Sequence, residues 1–283
     1  MARGSGRPAR TAVMLTTLLL ALLAACAGAA SGPATTSGPA STSGPATVTT
    51  TVRVAAASDL RFALEDIGAA LAESRPDIVL ATTYGSSGTF HQQLMNGAPF
   101  DLFLSADLSY PRELVAAGLA REEDLFAYAV GRLVVWAPND SPVDPTAGLA
   151  ALLDPAARTV AIANPEHAPY GKAAVAAMTA AGIYDQVSPR LVLGENVAQA
   201  AEFVQSGNAQ VGVIALSLAV SPELRDAGRW AEVPLEDFPR LDQGGVVLGS
   251  AQDPAAARAV RDFLTGEHGR AILRSNGFFL PGE

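Results

Sequence analysis

The sequence predicts an α/β protein with mostly parallel sheets. Three observations carry that expectation. From Val52 onward, short β-rich runs alternate with helical patterns. Small polar residues gather where those runs give way to helices, the place at which open α/β sheets hold ligands. The stretch before Val52 has a composition unable to build a core, which leaves the alternating region as the folded part.

The elements follow in order. "VRVAAA" (52–57) reads as a strand, and Leu60, Leu64, Ile67 and Leu71 behind it recur at helical spacing, with Ser58 or Asp59 as the cap. "IVLATTY" (78–84) leads through "GSSG" into "TFHQQLMNG", where Thr89 and Gln92 stand at capping-box spacing and Gly97 ends the helix. "DLFLS" (101–105) precedes a helix around 110–117. "RLVVWAP" (132–138), "TVAIANP" (159–165) and "RLVLGEN" (190–196) read as strands, the last two each feeding a helix. "AQVGVIAL" (209–216) and "GGVVLGS" (244–250) are further strands, and helices near 254–265 and 267–275 finish the chain.

The first 51 residues are of another kind. Arg3, Arg7 and Arg10 precede an apolar run from Ala12 to Ala25, with no acidic residue before Asp59. That is the layout of a signal peptide over 1–25, too short to span a bilayer comfortably. Leu23, Ala24 and Ala25 stand directly before Cys26, a pattern resembling a bacterial lipobox in which the cysteine is lipidated and becomes the mature N-terminus. Cys26 is also the only cysteine, so the folded part has neither disulfides nor a thiolate metal site. Residues 26–51 repeat SGPA units without charge, as expected of a disordered tether behind a lipid anchor. These features put the protein at the outer face of a bacterial cytoplasmic membrane.

Charge narrows the partners. The formal net charge is −9 for the whole chain and −12 without the three leader arginines; Lys172 is the only lysine. Nucleic-acid binding rests on clustered Lys and Arg, so it is excluded. Any anion must be held locally, against the net field.

Enzymatic patterns are weak. A nucleophile elbow centred on Ser87 needs glycine where Thr89 stands. His91, His167 and His268 are scattered and read as surface or packing residues. No metal-ligand spacing and no Walker or dinucleotide fingerprint appears, so neither metal nor cofactor is expected. A binding reading needs less coincidence. Helix N-termini present unpaired N–H groups and partial positive charge, so several converging ones can hold an anion without a cation. Serine hydroxyls add donors, and Gly85 and Gly88 allow close approach of the backbone.

"VAAASDL", "YGSSGTFHQQLMNGAPFDLFLSAD" and "IANPEHAPYGKAA" together resemble the molybdate-binding proteins of ABC transporters, from about Val52 to the C-terminus. The resemblance implies a type II periplasmic-binding-protein fold: two α/β lobes joined by two crossing segments, with the ligand between them. Lobe 1 would span 52–131 plus 245–283, and lobe 2 132–244. By matched position, Ser58 and Ser87 would supply hydroxyl and backbone donors, and Tyr170 and Val197 backbone N–H groups. Asp59, Ser86 and Asn196 would stand beside them, with the Asp59 carboxylate turned away to cap its own helix, since it would repel a dianion. Some relatives contact the anion through a tyrosine where this chain has Ala215.

The implied protein is a monomeric, non-enzymatic receptor that carries molybdate, and also tungstate, to an ABC permease. Sulfate or another tetrahedral oxyanion is the competing ligand. A lipid-anchored hydrolase using Ser87 is the competing class. A site drifted to an organic ligand, lined by Tyr84, Phe90 and Tyr170, is a third reading.

Overall fold

The computed structural model describes residues 49–283. The leader, Cys26 and nearly all of the expected tether lie outside the described residues.

The first sheet has the strand order β2-β1-β3-β10-β4. Its strands are β1 (Thr50–Ala57), β2 (Ile78–Gly85), β3 (Leu102–Ser105), β4 (Ala120–Gly131) and β10 (Leu241–Leu248). β1 pairs in parallel with β2 and β3, whereas β10 runs antiparallel to β3 and β4. β1 starts at Thr50, two residues inside the stretch expected to be tether, because Thr50 and Thr51 pair with Ile78 and Val79. Helices α1 (Arg61–Ser74), α2 (Ser87–Met95), α3 (Ser109–Ala116), α8 (Pro254–Thr265) and α9 (Glu267–Ser275) belong to this lobe. Leu60, Leu64, Ile67 and Leu71 are buried, as their spacing requires.

The second sheet repeats the plan, in the order β7-β6-β8-β5-β9. It contains β5 (Leu133–Pro138), β6 (Val160–Ala163), β7 (Leu191–Gly194), β8 (Val211–Ala215) and β9 (Gly228–Glu232). β6 is parallel to β7 and β8, and β5 is antiparallel to β8 and β9. Around it lie α4 (Pro169–Ala180), α5 (Tyr184–Val187), α6 (Val197–Gln205) and α7 (Leu216–Ala219). Its core is built on fully buried strands such as "LVVWA", in which Trp136 is the largest enclosed side chain. Strands buried on both faces read as continuous apolar runs, which is why they were visible in the sequence.

The chain crosses between the lobes twice. The first crossing is Arg132, between β4 and β5; the second runs from β9 to β10. Arg132 pairs with Glu232 at the end of β9 and lies over the Phe279 ring, which ties the two crossings together. The chain is back in the first sheet by Leu241, which pairs with Gly131.

Three elements differ from expectation. α2 begins at Ser87 rather than Thr89, and no side chain caps it. β4 was not among the expected strands, because the charged run Arg121, Glu122, Glu123 and Asp124 lacks the apolar signal of a strand. β9 was missed too; with Gly228, Arg229 and Glu232 among its residues it has no apolar run to mark it.

Candidate functional site

The carboxyl ends of β1, β2 and β3 face those of β6 and β7 across the cleft. A cavity of about 10 Å³ lies there, and every sequence-predicted site residue reaches it: Ser58, Asp59, Ser86, Ser87, Tyr170, Asn196 and Val197 all line its wall. Among the described residues, neither lysine nor arginine lines it.

Each donor is placed by local structure. Ser87 opens α2, and its hydroxyl oxygen accepts from Ala106 N–H at 3.0 Å. Its own proton therefore stays available for a ligand. Ser58 Oγ accepts from Ala198 N–H at 3.3 Å across the cleft, leaving its proton available in the same way. Val197 is the first residue of α6. Asn196 caps that helix, its side chain accepting from Ala198 and Gln199 at 3.0 and 3.1 Å, and so fixes the first turn. Pro169 opens α4, placing Tyr170 in the first turn. The N–H groups of Ser87, Tyr170 and Val197 have no acceptor among the described residues. Three first-turn donors from two lobes thus converge on one cavity, with the positive ends of their helices.

The "GSSG" string also joins the lobes. Ser86 Oγ donates to the His167 carbonyl at 2.6 Å, and Gly88 N–H donates to the same oxygen at 2.9 Å. Thr89 Oγ1 donates to Glu195 at 3.0 Å, which occupies the residue expected to cap α2. His167 Nδ1 lies 3.0 Å from Ser86 Oγ and its Nε2 3.4 Å from Glu195. Ser86, His167 and Glu195 have the residue types of a nucleophilic triad. The serine proton, however, is committed to a carbonyl and the hydroxyl sits in a sealed lobe contact. Among the described residues, no histidine side chain is hydrogen-bonded to Ser87.

Two side chains depart from expectation. The Asp59 carboxylate was expected to turn away and cap its own helix, but no side-chain hydrogen bond caps that helix. It accepts instead from the Tyr170 hydroxyl at 2.9 Å and from Gln243 Nε2 at 2.6 Å. Burial raises its carboxyl to about 6, against the pull of the Gln243 and Tyr170 hydrogen bonds. Tyr170, expected from the resemblance to contribute its N–H, also bridges the lobes with its side chain. Burial holds its phenol well above the ordinary range, so it remains a neutral donor.

Gln243 and the His167 carbonyl had not been singled out. Gln243 gave no sequence signal, because it stands between Asp242 and Gly244 ahead of the apolar part of β10, yet in the fold it is fully buried. Tyr84 and Phe90 do not line the cavity; Tyr84 packs with the first-lobe core and Phe90 meets Phe100 edge-on. Ala215 is buried at the end of β8 and carries no hydroxyl. Lys172 lies outside the cavity, on an open groove of about 390 Å³ that also holds Arg112 and Arg240 and adjoins the cavity at Ala106 and Pro169.

Residues 52–279 match the family model of the bacterial extracellular solute-binding proteins. The molybdate-binding protein ModA of Rhodobacter capsulatus is 37% identical over 227 residues, which is 80% of this chain and 87% of that protein. The solved periplasmic molybdate-binding protein of Azotobacter vinelandii superposes with a TM-score of 0.76 at 30% identity, covering 81% of this chain and 99% of that one. The sulfate-binding protein SubI of Mycobacterium tuberculosis shares the fold at 17% identity and a TM-score of 0.67, over 82% of this chain and 88% of its own. The chain belongs to the bacterial extracellular solute-binding proteins, in the group of the molybdate-binding proteins.

Proposed function

We propose that this protein is the extracytoplasmic molybdate receptor of an ABC importer, with tungstate as an alternative ligand. The observation that carries the reading is the set of three unpaired first-turn N–H groups and two serine hydroxyls around a cavity without a cation. Neutral donors suit an anion that is fully ionised and must be released again, because they supply directed hydrogen bonds without a permanent counter-charge. Ser58 and Ser87 act from the first lobe, and the Tyr170 and Val197 N–H groups from the second, so the anion is surrounded only when the lobes meet.

We further propose that Cys26 carries a lipid and that residues 26–51 tether the receptor, as a monomer, to the outer face of the cytoplasmic membrane. There, lobe closure forms the surface that the permease reads. The division into two lobes belongs to the same reading, with the expected bounds of 52–131 plus 245–283 and 132–244 moved so that β10, from Leu241, counts with the first lobe.

Calorimetric titration with molybdate, tungstate, sulfate and phosphate tests the ligand. Tight binding of molybdate and tungstate, with sulfate and phosphate much weaker, is the expected order. Sulfate binding without molybdate binding would make this a sulfate receptor. Turnover of a generic ester, abolished by Ser87→Ala, would favour a hydrolase.

A further inference from the structure

Beside the donors lies a buried network that the anion does not need. Asp59, Tyr170 and Gln243 are all at most 3% exposed. Besides the two bonds that end on Asp59 Oδ2, Gln243 Nε2 donates to the Tyr170 hydroxyl at 3.1 Å. The three side chains come from the junction of β1 with α1, the first turn of α4, and strand β10. Ser217, in α7, adds a fourth contact by donating to the Asp59 backbone carbonyl at 2.9 Å. The network rests on the first crossing. A Cβ at Gly131 would run into the Tyr170 hydroxyl and lie 2.9 Å from Gln243 Nε2.

Placing a carboxylate here is costly. It is removed from water, no cation is among its partners, and it stands on the wall of a cavity read as an anion site. An apolar residue would avoid both desolvation and repulsion. What the carboxylate provides is an acceptor that the Tyr170 hydroxyl reaches only when the second lobe sits against the first. We propose that Tyr170, Asp59 and Gln243 form a closure latch that positions the Tyr170 N–H and sets how long the bound anion is held. The proposal rests on the anion-binding reading of the cleft.

The geometry explains how one residue does both jobs. The N–H and the hydroxyl of Tyr170 belong to one side of the cleft, and docking the hydroxyl fixes the turn that carries the N–H. Opening the cleft breaks the tyrosine–carboxylate bond and lifts the ring from Gly131, so the barrier falls on release rather than on encounter. The latch is incomplete: among the described residues, Asp59 Oδ1 and Gln243 Oε1 have no hydrogen-bond partner. Water reaching both groups on opening offsets part of the loss, so the latch delays opening without preventing it.

Two measurements on the full chain test the latch. In stopped-flow release of molybdate, Tyr170→Phe keeps the ring and the N–H and should speed dissociation by about tenfold or more, with little change in association. Gln243→Met should act in the same direction, and the two together by much less than the product of the single effects, because both act through Asp59. Asp59→Asn retains an acceptor for the tyrosine and should release more slowly than Asp59→Ala. The second measurement needs no ligand. Spin labels at Gln93→Cys and Glu202→Cys in a Cys26→Ser chain report the distance between α2 and α6, and Tyr170→Phe should shift it to longer values. Failure of the wild type to bind molybdate would refute the proposed function and leave the distance measurement to decide the latch. Wild-type distances in Tyr170→Phe, together with a wild-type release rate wherever molybdate binds, would overturn it.

Discussion

The backbone N–H of Gly88 donates to the carbonyl of His167 at 2.9 Å, joining the first turn of α2 to the loop before α4 across the cleft. The contact exists because residue 88 has no side chain. A Cβ there would lie 2.5 Å from that carbonyl oxygen and 2.9 Å from the Tyr110 hydroxyl. The serine–glycine string is therefore both a wall of donors and the seam along which the lobes meet.

Gly88→Ala should keep the lobes apart. Forcing a methyl group into a packed contact costs about 1–3 kcal/mol, so molybdate affinity should fall roughly 5- to 150-fold. Thermal stability without ligand should change little, since opening relieves the clash with His167 and the Tyr110 hydroxyl is the far end of a side chain that can swing aside. Calorimetry and a melting curve on the same preparation check both halves, and unchanged affinity would show that closure tolerates the methyl.

Removing single donors tests the anion site directly. Ser87→Ala deletes a hydrogen bond to a charged ligand, worth about 1.5–3 kcal/mol, or roughly 10- to 150-fold in affinity. Val197→Ala should be nearly neutral, because only the backbone N–H is used. Val197→Pro deletes that N–H at a first helical position, where proline is tolerated and where Asn196 before it is already extended. It should therefore weaken binding far more than Val197→Ala while circular dichroism stays unchanged.

Asp59 should leave a signature in stability against pH. Its carboxyl is raised from 3.8 to about 6 in the folded protein, so the folded state holds the proton more tightly than the unfolded chain. The contribution is fully present below about 3.8 and is lost as pH rises through about 6. The titratable groups facing it, Tyr170 and Tyr128, are both raised well above the usual phenol range and stay neutral throughout. Urea unfolding of the ligand-free wild type and Asp59→Asn should therefore diverge between about pH 4 and about pH 6.5. Asparagine gains on the order of 3 kcal/mol relative to aspartate before the difference levels off. A constant difference across that range would contradict the buried, proton-holding carboxyl.

The anchor has its own test. Cys26→Ser should abolish fatty-acid labelling and release the protein from membranes. A variant that remains membrane-bound with labelling intact would refute the lipobox reading.

Much of the site was legible because its donors are local features of helix starts. Ser58, Ser87, Tyr170 and Val197 follow strands or open helices, and the structure brings all four to one cavity. The role of the neighbouring side chains was not legible. Thr89 looks like a cap and instead reaches Glu195, 106 positions away. Asp59 looks like another cap, and its partners lie 111 and 184 positions along the chain. Asp124 helped to hide β4 within a charged run, yet in the fold it is buried against Arg121, Arg258 and Arg261.

The sequence by itself determined the alternation of strands and helices, down to helices at 254–265 and 267–275, because side-chain period and caps are set by neighbours a few residues apart. Through the family resemblance it also pointed to the anion site proposed above, held by hydroxyls and backbone groups at helix starts rather than by cations. Only the tertiary structure decided which polar side chains face the cleft and which bind the lobes together. A buried carboxylate takes whichever donors the fold brings within hydrogen-bond reach, and here those are Tyr170 from the second lobe and Gln243 from the returning strand.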